Sequence, residues 1–184
     1  AGRSGRPYFM ALFDSVFGTC GRADCLYCDY FLDDKTLRRR ILRVVNRSAL
    51  VPYSPRLAFE TVDDIEAYSE FLPWCSESRV LDRTDSEVIA TLVLSASGID
   101  QAFTTQNRLT RYQNIELSLL DGPFSQLHGQ WSFEPLGQDG CKMELVLSFE
   151  FSNPIVDRTF GRLFGGAADR LVSAFTDRLD ELHD

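Results

Sequence analysis

Six strand-like segments follow one another between residues 78 and 151, and this succession limits the possible folds more than any other feature of the sequence. They lie at 78–81, 88–96, 101–111, 115–120, 126–134 and 142–151. Short turns rich in Gly, Asn and Asp separate them. In the last segment Met143, Leu145, Leu147, Phe149 and Phe151 point one way, while Glu144, Ser148 and Glu150 point the other. Consecutive alternating strands with short connections predict an antiparallel sheet with one buried face.

A long helical stripe follows the last strand. Asn153 can cap it, and Pro154 suits the first helical position. The apolar residues that recur at helical spacing are Phe160, Leu163, Phe164, Ala167, Leu171, Phe175, Leu179 and Leu182. A strand at 45–51 and helices at 54–65 and 66–72 precede the six strands. This order predicts an α+β fold in which a curved antiparallel sheet of about seven strands grips a C-terminal helix about 45 Å long.

The first 45 residues show no sustained hydrophobic period, so we expect a poorly ordered leader, with a weak helix at 33–43, before a domain at 46–184. The leader holds eight Lys and Arg against five Asp, a net charge of +3, whereas residues 46–184 hold eleven basic and twenty-two acidic residues, a net charge of −11. An acidic domain disfavours general binding to a phosphate backbone, and DNA is not an expected partner. With neither a signal peptide nor a membrane span in the sequence, a cytoplasmic location is predicted.

Metal and catalytic chemistry are poorly supported. Cys20, Cys25 and Cys28 have the C-x₄-C-x₂-C spacing of some iron–sulfur loops, but a fourth ligand of matching spacing is missing, so no metal is predicted. A Cys–His nucleophile pair would need His128, which alternates onto the polar face of its strand. The residues alone therefore favour neither a metal site nor a catalytic pair, and no cofactor is expected to be required.

Several short motifs between residues 46 and 184 resemble a known family. They are the segments 51–55 (VPYSP), 70–75 (EFLPWC), 103–109 (FTTQNRL), 121–124 (DGPF), 131–133 (WSF) and 149–153 (FEFSN). In this order they resemble the ribosome-association toxin (RatA) family and the coenzyme Q-binding START-like proteins, which are related to polyketide cyclases and dehydrases. The resemblance implies a helix-grip, Bet v 1-like fold with an apolar tunnel and a non-enzymatic function.

The family resemblance leaves two functions open. Bacterial members are described as binding the large ribosomal subunit and preventing subunit association. Mitochondrial members bind ubiquinone and support respiratory electron transfer. The resemblance therefore implies either the large ribosomal subunit or an apolar quinone-like ligand as partner, with ubiquinone or another isoprenoid lipid as the bound molecule. Peripheral contact with the inner membrane also stays open.

Aromatic and aliphatic residues of the strands and the last helix are candidates for lining a ligand cavity. Phe71 and Trp74 would lie at its rim. The full candidate set is Phe71, Trp74, Phe103, Leu117, Trp131, Leu147, Phe149, Phe160, Phe164 and Phe175. Each residue taken alone is also compatible with an ordinary core position. A cyclase or hydrolase would need polar groups in the same cavity, and Thr105 and Asn107 are the few candidates.

Five arginines of the acidic domain are candidates for contact with ribosomal RNA or another anionic surface. They are Arg108, Arg111, Arg158, Arg162 and Arg170. Arg158 and Arg162 lie one helical turn apart, and Arg170 follows two turns later. Alternatively, Asp157 and Asp169 could neutralise the arginines on this helix through surface ion pairs.

Overall fold

The computed structural model describes residues 42–96 and 99–183. The elements, in chain order, are β1 (Arg43–Val51), α1 (Pro55–Asp63), a 3₁₀ turn (Ile65–Ala67), α2 (Tyr68–Phe71), β2 (Cys75–Arg83), β3 (Glu87–Ala96), β4 (Ile99–Thr110), β5 (Asn114–Asp121), β6 (Phe124–Leu136), β7 (Gly140–Phe151) and α3 (Pro154–His183). The predicted α+β architecture is confirmed. The predicted leader lies outside the described residues up to residue 41.

The seven strands form one antiparallel sheet in the order β1-β7-β6-β5-β4-β3-β2. Strand β1 begins two residues before the predicted position because Arg43 and Val44 already pair with Phe149 and Ser148 of β7. The alternation predicted for β7 is confirmed, since every second residue from Met143 to Phe151 is buried. The sheet curves around α3, so its buried face and the helix enclose the core.

Strand β2 is longer than the predicted segment 78–81. It runs from Cys75 to Arg83 at the edge of the sheet, and its pairing with β3 shifts register between Cys75 and Glu77 and again between Val80 and Asp82. Each shift moves the following side chains to the opposite face, which destroys the simple alternation from which a strand is recognised. The same irregularities make an exposed edge a poor template for pairing with another chain.

The sequence signals for helix ends hold for α1 but not for the second predicted helix. The Ser54 hydroxyl accepts a hydrogen bond from the backbone N–H of Leu57, and Pro55 occupies the first turn. The helix ends at Asp63, earlier than predicted, because the backbone of Asp64 leaves the helical region. The predicted helix at 66–72 is split into the 3₁₀ turn and the single turn of α2, which stops before Pro73.

Helix α3 has the predicted beginning. The Asn153 side chain accepts a hydrogen bond from the N–H of Ile155 at 2.8 Å, and Pro154 is the first helical residue. The predicted stripe is buried at Phe160, Phe164, Ala167, Phe175 and Leu179. The prediction is wrong for the last residue of the stripe, because Leu182 is 52% exposed in the final turn of the helix.

Replacing Gly165 with alanine is expected to stabilise the protein by about 0.5–1 kcal/mol, because glycine is a poor helix former and α3 keeps it in an interior position. A Cβ built at Gly165 meets nothing within 4 Å, so the methyl group costs no repacking. The free energy of unfolding from urea denaturation, followed by circular dichroism, measures the change.

Gly161→Ala is the matched control on the same helix. A Cβ at Gly161 would collide with the Asp157 carboxylate and lie 3.2 Å from Nη2 of Arg43. This variant is expected to lose stability although it gains the same helix propensity. Equal changes in both variants would show that helix propensity, and not local space, governs these positions.

Candidate functional site

An apolar cavity of about 90 Å³ lies between the buried face of the sheet and α3. Its walls come from the 3₁₀ turn, α2, Trp74, strands β3 to β7 and the middle of α3. An engineered cavity of about 150 Å³ holds a benzene molecule, and drug-sized ligands occupy about 300–1,000 Å³. In this conformation, therefore, the cavity can hold at most a single small ring. Even such a ring requires the cavity wall to move.

Seven of the ten residues predicted to line a cavity do so. They are Trp74, Phe103, Leu117, Trp131, Leu147, Phe164 and Phe175. Phe149 and Phe160 are buried but do not line the cavity. Phe71 lies outside it, where its half-buried ring contacts Tyr68, Phe175 and the guanidinium group of Arg178.

Small residues create the space that the larger side chains surround. The lining residues that were not predicted are Ile65, Tyr68, Ala90, Leu92, Leu127, Leu145, Ala167, Ala168 and Leu171. Ala90 faces α3 from the sheet, while Ala167 and Ala168 face the sheet from α3. Because these three side chains are single methyl groups, they leave the volume between the larger side chains unfilled. Adjacent alanines inside an aromatic helical stripe were the sequence signal that could have located the cavity.

Two polar side chains interrupt the apolar wall. Thr105 and Asn107 lie two residues apart on the buried face of β4, and both line the cavity, as the sequence suggested. The Tyr68 hydroxyl also lies in this region, but it donates a hydrogen bond to the backbone oxygen of Val62 at 2.5 Å. Burial raises the pKa of this phenol, which therefore stays protonated at any physiological pH.

A second, open groove adjoins the cavity at Trp74, whose side chain lines both. The groove has a volume of about 550 Å³ and is lined by Pro73, Ser95 and the α3 residues Arg158, Thr159, Arg162, Leu163 and Arg170. Three of the five arginines predicted to contact an anionic surface thus lie together along one helix. We call Arg158, Arg162 and Arg170 the α3 arginine row.

The acidic neighbours of the α3 arginine row are engaged elsewhere. Asp157 pairs with Arg43 at 2.5 Å, and Asp169 pairs with Arg47 at 2.6 Å, so both carboxylates face β1. Among the described residues, no ion pair within 4 Å involves a member of the row. All three residues are exposed, and although Nε of Arg170 donates to the carbonyl oxygen of Gly166 at 3.0 Å, its terminal nitrogens remain available to an anion.

The other two predicted arginines do not join this row. Arg108 lies opposite Glu116 on the outer face of the sheet, where both line a separate shallow groove with His128. Arg111 follows β4, and its side chain lies 3.5 Å from the exposed carboxylate of Asp85. These two arginines therefore provide comparison positions remote from α3.

The described residues also place the two cysteines of the domain. Cys75 and Cys141 are both buried on the core side, whereas His128 belongs to the outer face, so neither forms a Cys–His pair with it. Burial raises the pKa of the Cys141 thiol to about 11, and the nearby Glu134 adds to the shift. Burial likewise raises the pKa of Cys75. Both thiols are therefore protonated and unreactive near neutral pH.

Residues 42–96 and 99–183 contain no group of three or more His, Cys, Asp or Glu side chains arranged to hold a metal ion. Cys20, Cys25 and Cys28 lie outside the described residues. Within the same part of the chain, none of the helices combines the length and apolar character that a membrane span requires.

An antiparallel sheet folded around a C-terminal helix, with an apolar cavity between them, defines the helix-grip class of START-like and Bet v 1-like proteins. Residues 51–176 match the model of one family within this class, described as polyketide cyclase/dehydrase and lipid transport. The chain belongs to this family.

Its curated relatives include bacterial toxins. The chain is 44% identical to the ribosome association toxin RatA of Pseudomonas aeruginosa, with 76% of this chain and 96% of that protein covered. It is 43% identical to the persistence and stress-resistance toxin PasT of Escherichia coli O6:H1, with 78% and 90% covered. A more distant relative, at 27% identity and with 74% and 58% covered, is the mitochondrial coenzyme Q-binding protein COQ10 of Drosophila melanogaster.

Solved structures support the same fold. A START superfamily protein from Mycobacterium smegmatis superimposes with a TM-score of 0.64 at 24% identity, covering 76% of this chain and 98% of that one. The Zhui aromatase/cyclase from Streptomyces sp. R1128 superimposes with a TM-score of 0.66 at 14% identity, covering 76% and 94%. At these identities the likeness concerns the fold alone.

Proposed function

We propose that the chain is a non-enzymatic RatA-type toxin that binds the large ribosomal subunit and blocks subunit association. The observation that carries this proposal is the 42–44% identity to bacterial proteins named RatA or PasT over three quarters of the chain. The fold is shared with cyclases, but the cavity of this chain holds neither a metal cluster nor a Cys–His pair among its described residues. A protein with this function acts on ribosomes and is therefore proposed to be located in the cytoplasm.

The α3 arginine row is the proposed contact with ribosomal RNA. Residues 46–184 have a net charge of −11, so long-range attraction to RNA is unfavourable and binding needs a local basic surface. Arg158 and Arg170 are twelve residues apart, which places the row along about 18 Å of one helix. Trp74 beside the row adds a flat aromatic surface, as RNA-binding proteins often use for contact with bases.

The test is sedimentation of ribosomes in sucrose gradients after adding purified protein. The wild-type chain is expected to shift intact ribosomes toward free subunits. The variant Arg158→Gln/Arg162→Gln/Arg170→Gln is expected to need about ten- to hundredfold more protein for the same shift. For this variant, a plot of log K for ribosome binding against log salt concentration should have a slope shallower by about 2–3 than that of the wild type. The reason is that each lost phosphate contact removes about 0.7–0.9 from the slope.

The matched control removes the same charge from other positions, Arg56→Gln/Arg108→Gln/Arg111→Gln, all exposed and none on α3. It is expected to behave like the wild type. Unchanged gradients with the wild-type chain would contradict the toxin function. An equal loss in both triple variants would contradict the proposed contact and leave the function standing.

A second candidate function is supported by the cavity. We propose that the chain binds a quinone-like apolar ligand, as the name of the COQ10 relative suggests for that protein. Seven predicted apolar residues line the cavity, but its volume of about 90 Å³ leaves no room for an isoprenoid tail. The tail would therefore have to pass Trp74 into the open groove. A peripheral position at the inner membrane, where quinones reside, corresponds to this function.

Organic extraction of the purified protein followed by mass spectrometry tests the second candidate. The wild-type chain should release a ubiquinone or another isoprenoid lipid. Ala168→Leu, which places a larger side chain in the cavity wall, should release much less. An extract without such a lipid would contradict the quinone function and would not affect the ribosome function.

A further inference from the structure

The buried face of β4 carries an unusual sequence for a strand in an apolar core. Phe103, Thr105 and Asn107 occupy successive inward positions, with 7%, 7% and 8% of their surface exposed. The residues paired with Asn107 are Val88 on β3 and Leu117 on β5, and neither can form a side-chain hydrogen bond with it. Asn107 thus brings an amide into a region whose neighbouring strands supply only aliphatic side chains.

The amide of Asn107 is not satisfied within the protein. Its Oδ1 is buried and has no hydrogen-bond partner among the described residues. A buried polar group without a partner is costly, and a leucine of similar shape at this position would avoid the cost. Tyr68 also lines the cavity, but its hydroxyl already donates to the backbone oxygen of Val62. Oδ1 of Asn107 can therefore accept a hydrogen bond from a molecule that enters the cavity.

We infer that the cavity binds a single aromatic ring carrying a hydroxyl group, of the phenol or hydroquinone class, and that Asn107 forms a hydrogen bond with the hydroxyl. The inference deepens the second candidate function and rests on it. The ring is indicated by the aromatic walls formed by Trp131, Phe103 and Phe175, and by a volume that limits a ligand to ring size. A larger ligand of this class would enter with its ring first.

A hydroxyl group fits the two polar side chains better than an oxygen that only accepts. A phenolic hydroxyl can donate to Oδ1 of Asn107 and accept from the hydroxyl of Thr105, two residues away on the same face. If the amide turns about its last bond, the hydroxyl can instead accept from its N–H. A ring without a polar substituent would leave Oδ1 of Asn107 without a hydrogen-bond partner.

The experiment compares two probes of nearly equal size, phenol and toluene, with the full chain. Isothermal titration calorimetry gives the dissociation constant of each, and the side-chain amide signal of Asn107 in ¹H–¹⁵N spectra reports contact with the ligand. The measured quantity is the ratio of the toluene to the phenol dissociation constant. We expect this ratio to fall about tenfold in Asn107→Leu, because one hydrogen bond makes a net contribution of about tenfold to the binding of phenol.

Stability separates a binding role of Asn107 from a structural one. Asn107→Leu should raise the melting temperature, because it removes a buried unsatisfied amide. Leu147→Met is the control, on β7 of the same sheet and three strands away from β4, and it should change both dissociation constants in the same direction and leave their ratio within about twofold. Ala168→Leu should weaken both probes by reducing the cavity.

The outcomes distinguish this inference from the function on which it rests. An unchanged ratio in Asn107→Leu, or failure of the wild-type chain to bind phenol, would overturn the inference. If a quinone is nevertheless extracted from the protein, the second candidate function stands without the role of Asn107. If phenol binds with the expected ratio but no lipid is extracted, the hydroxyl-bearing ring is the ligand class and the isoprenoid tail is excluded.

Discussion

Replacing Phe149 with alanine is expected to lower the free energy of unfolding by about 3–5 kcal/mol, a large part of the total stability of a domain this size. The Phe149 side chain is 0% exposed. Its ring centroid lies 4.6 Å from that of Phe164, 6.0 Å from that of Phe151 and 6.3 Å from that of Phe124. Since these rings join β6, β7 and α3, the remaining side chains cannot collapse into the vacated space without moving the helix.

Urea denaturation followed by circular dichroism measures this loss. A lower midpoint with an unchanged slope would show that stability, and not the extent of unfolding, has changed. Phe71→Ala is the matched control, because its half-buried ring packs on the outside of Phe175 and Tyr68. It is expected to cost less than half as much. If the two variants lose the same stability, the central position assigned to Phe149 is wrong.

Replacing Gly122 with alanine is expected to cost about 3 kcal/mol, for two reasons that act together. Gly122 has a φ of +142°, a conformation that residues with a side chain rarely adopt. A Cβ at this position would also lie 2.6 Å from Cβ and 3.1 Å from Cα of Phe103, in the middle of β4. The turn cannot move away easily, because the backbone N–H of Ser152 donates to the carbonyl oxygen of Pro123 at 2.9 Å.

Gly137→Ala is the control that separates conformation from crowding. Gly137 also has a positive φ, +64°, but a Cβ there would meet nothing within 4 Å. Its expected cost is about 1 kcal/mol, the strain of a left-handed backbone alone. Thermal and urea unfolding of both variants give the comparison, and equal costs would show that the contact with Phe103 is easily relieved.

The regular parts of the fold were predictable because they rest on local signals. The alternation in β7 and the Asn153 and Pro154 signals at the start of α3 depend on neighbouring residues only, and the structure confirms them. Strand β2 was predicted too short because its two register shifts follow from pairing with β3. A sequence pattern alone does not record on which residue a bulge falls.

The candidate site was predictable to a similar extent. Helical spacing correctly grouped Arg158, Arg162 and Arg170, since positions on one helix are fixed by its geometry. The pairing of Asp157 and Asp169 with Arg43 and Arg47 was not predictable, because it joins residues more than a hundred positions apart. The unsatisfied amide of Asn107 likewise depends on what three strands place around it.

The pairing of the first strand with the last has a consequence for the synthesis of the protein. Arg43 lies opposite Phe149 and Val51 lies opposite Cys141, so β1 finds its neighbour 90 to 106 residues later in the chain. At about 5–20 residues per second, β1 waits about 5–20 s for β7 to be made. The α3 arginines are made later still. A nascent chain therefore completes its sheet only after β7 has been made, and its basic surface only after α3 has followed.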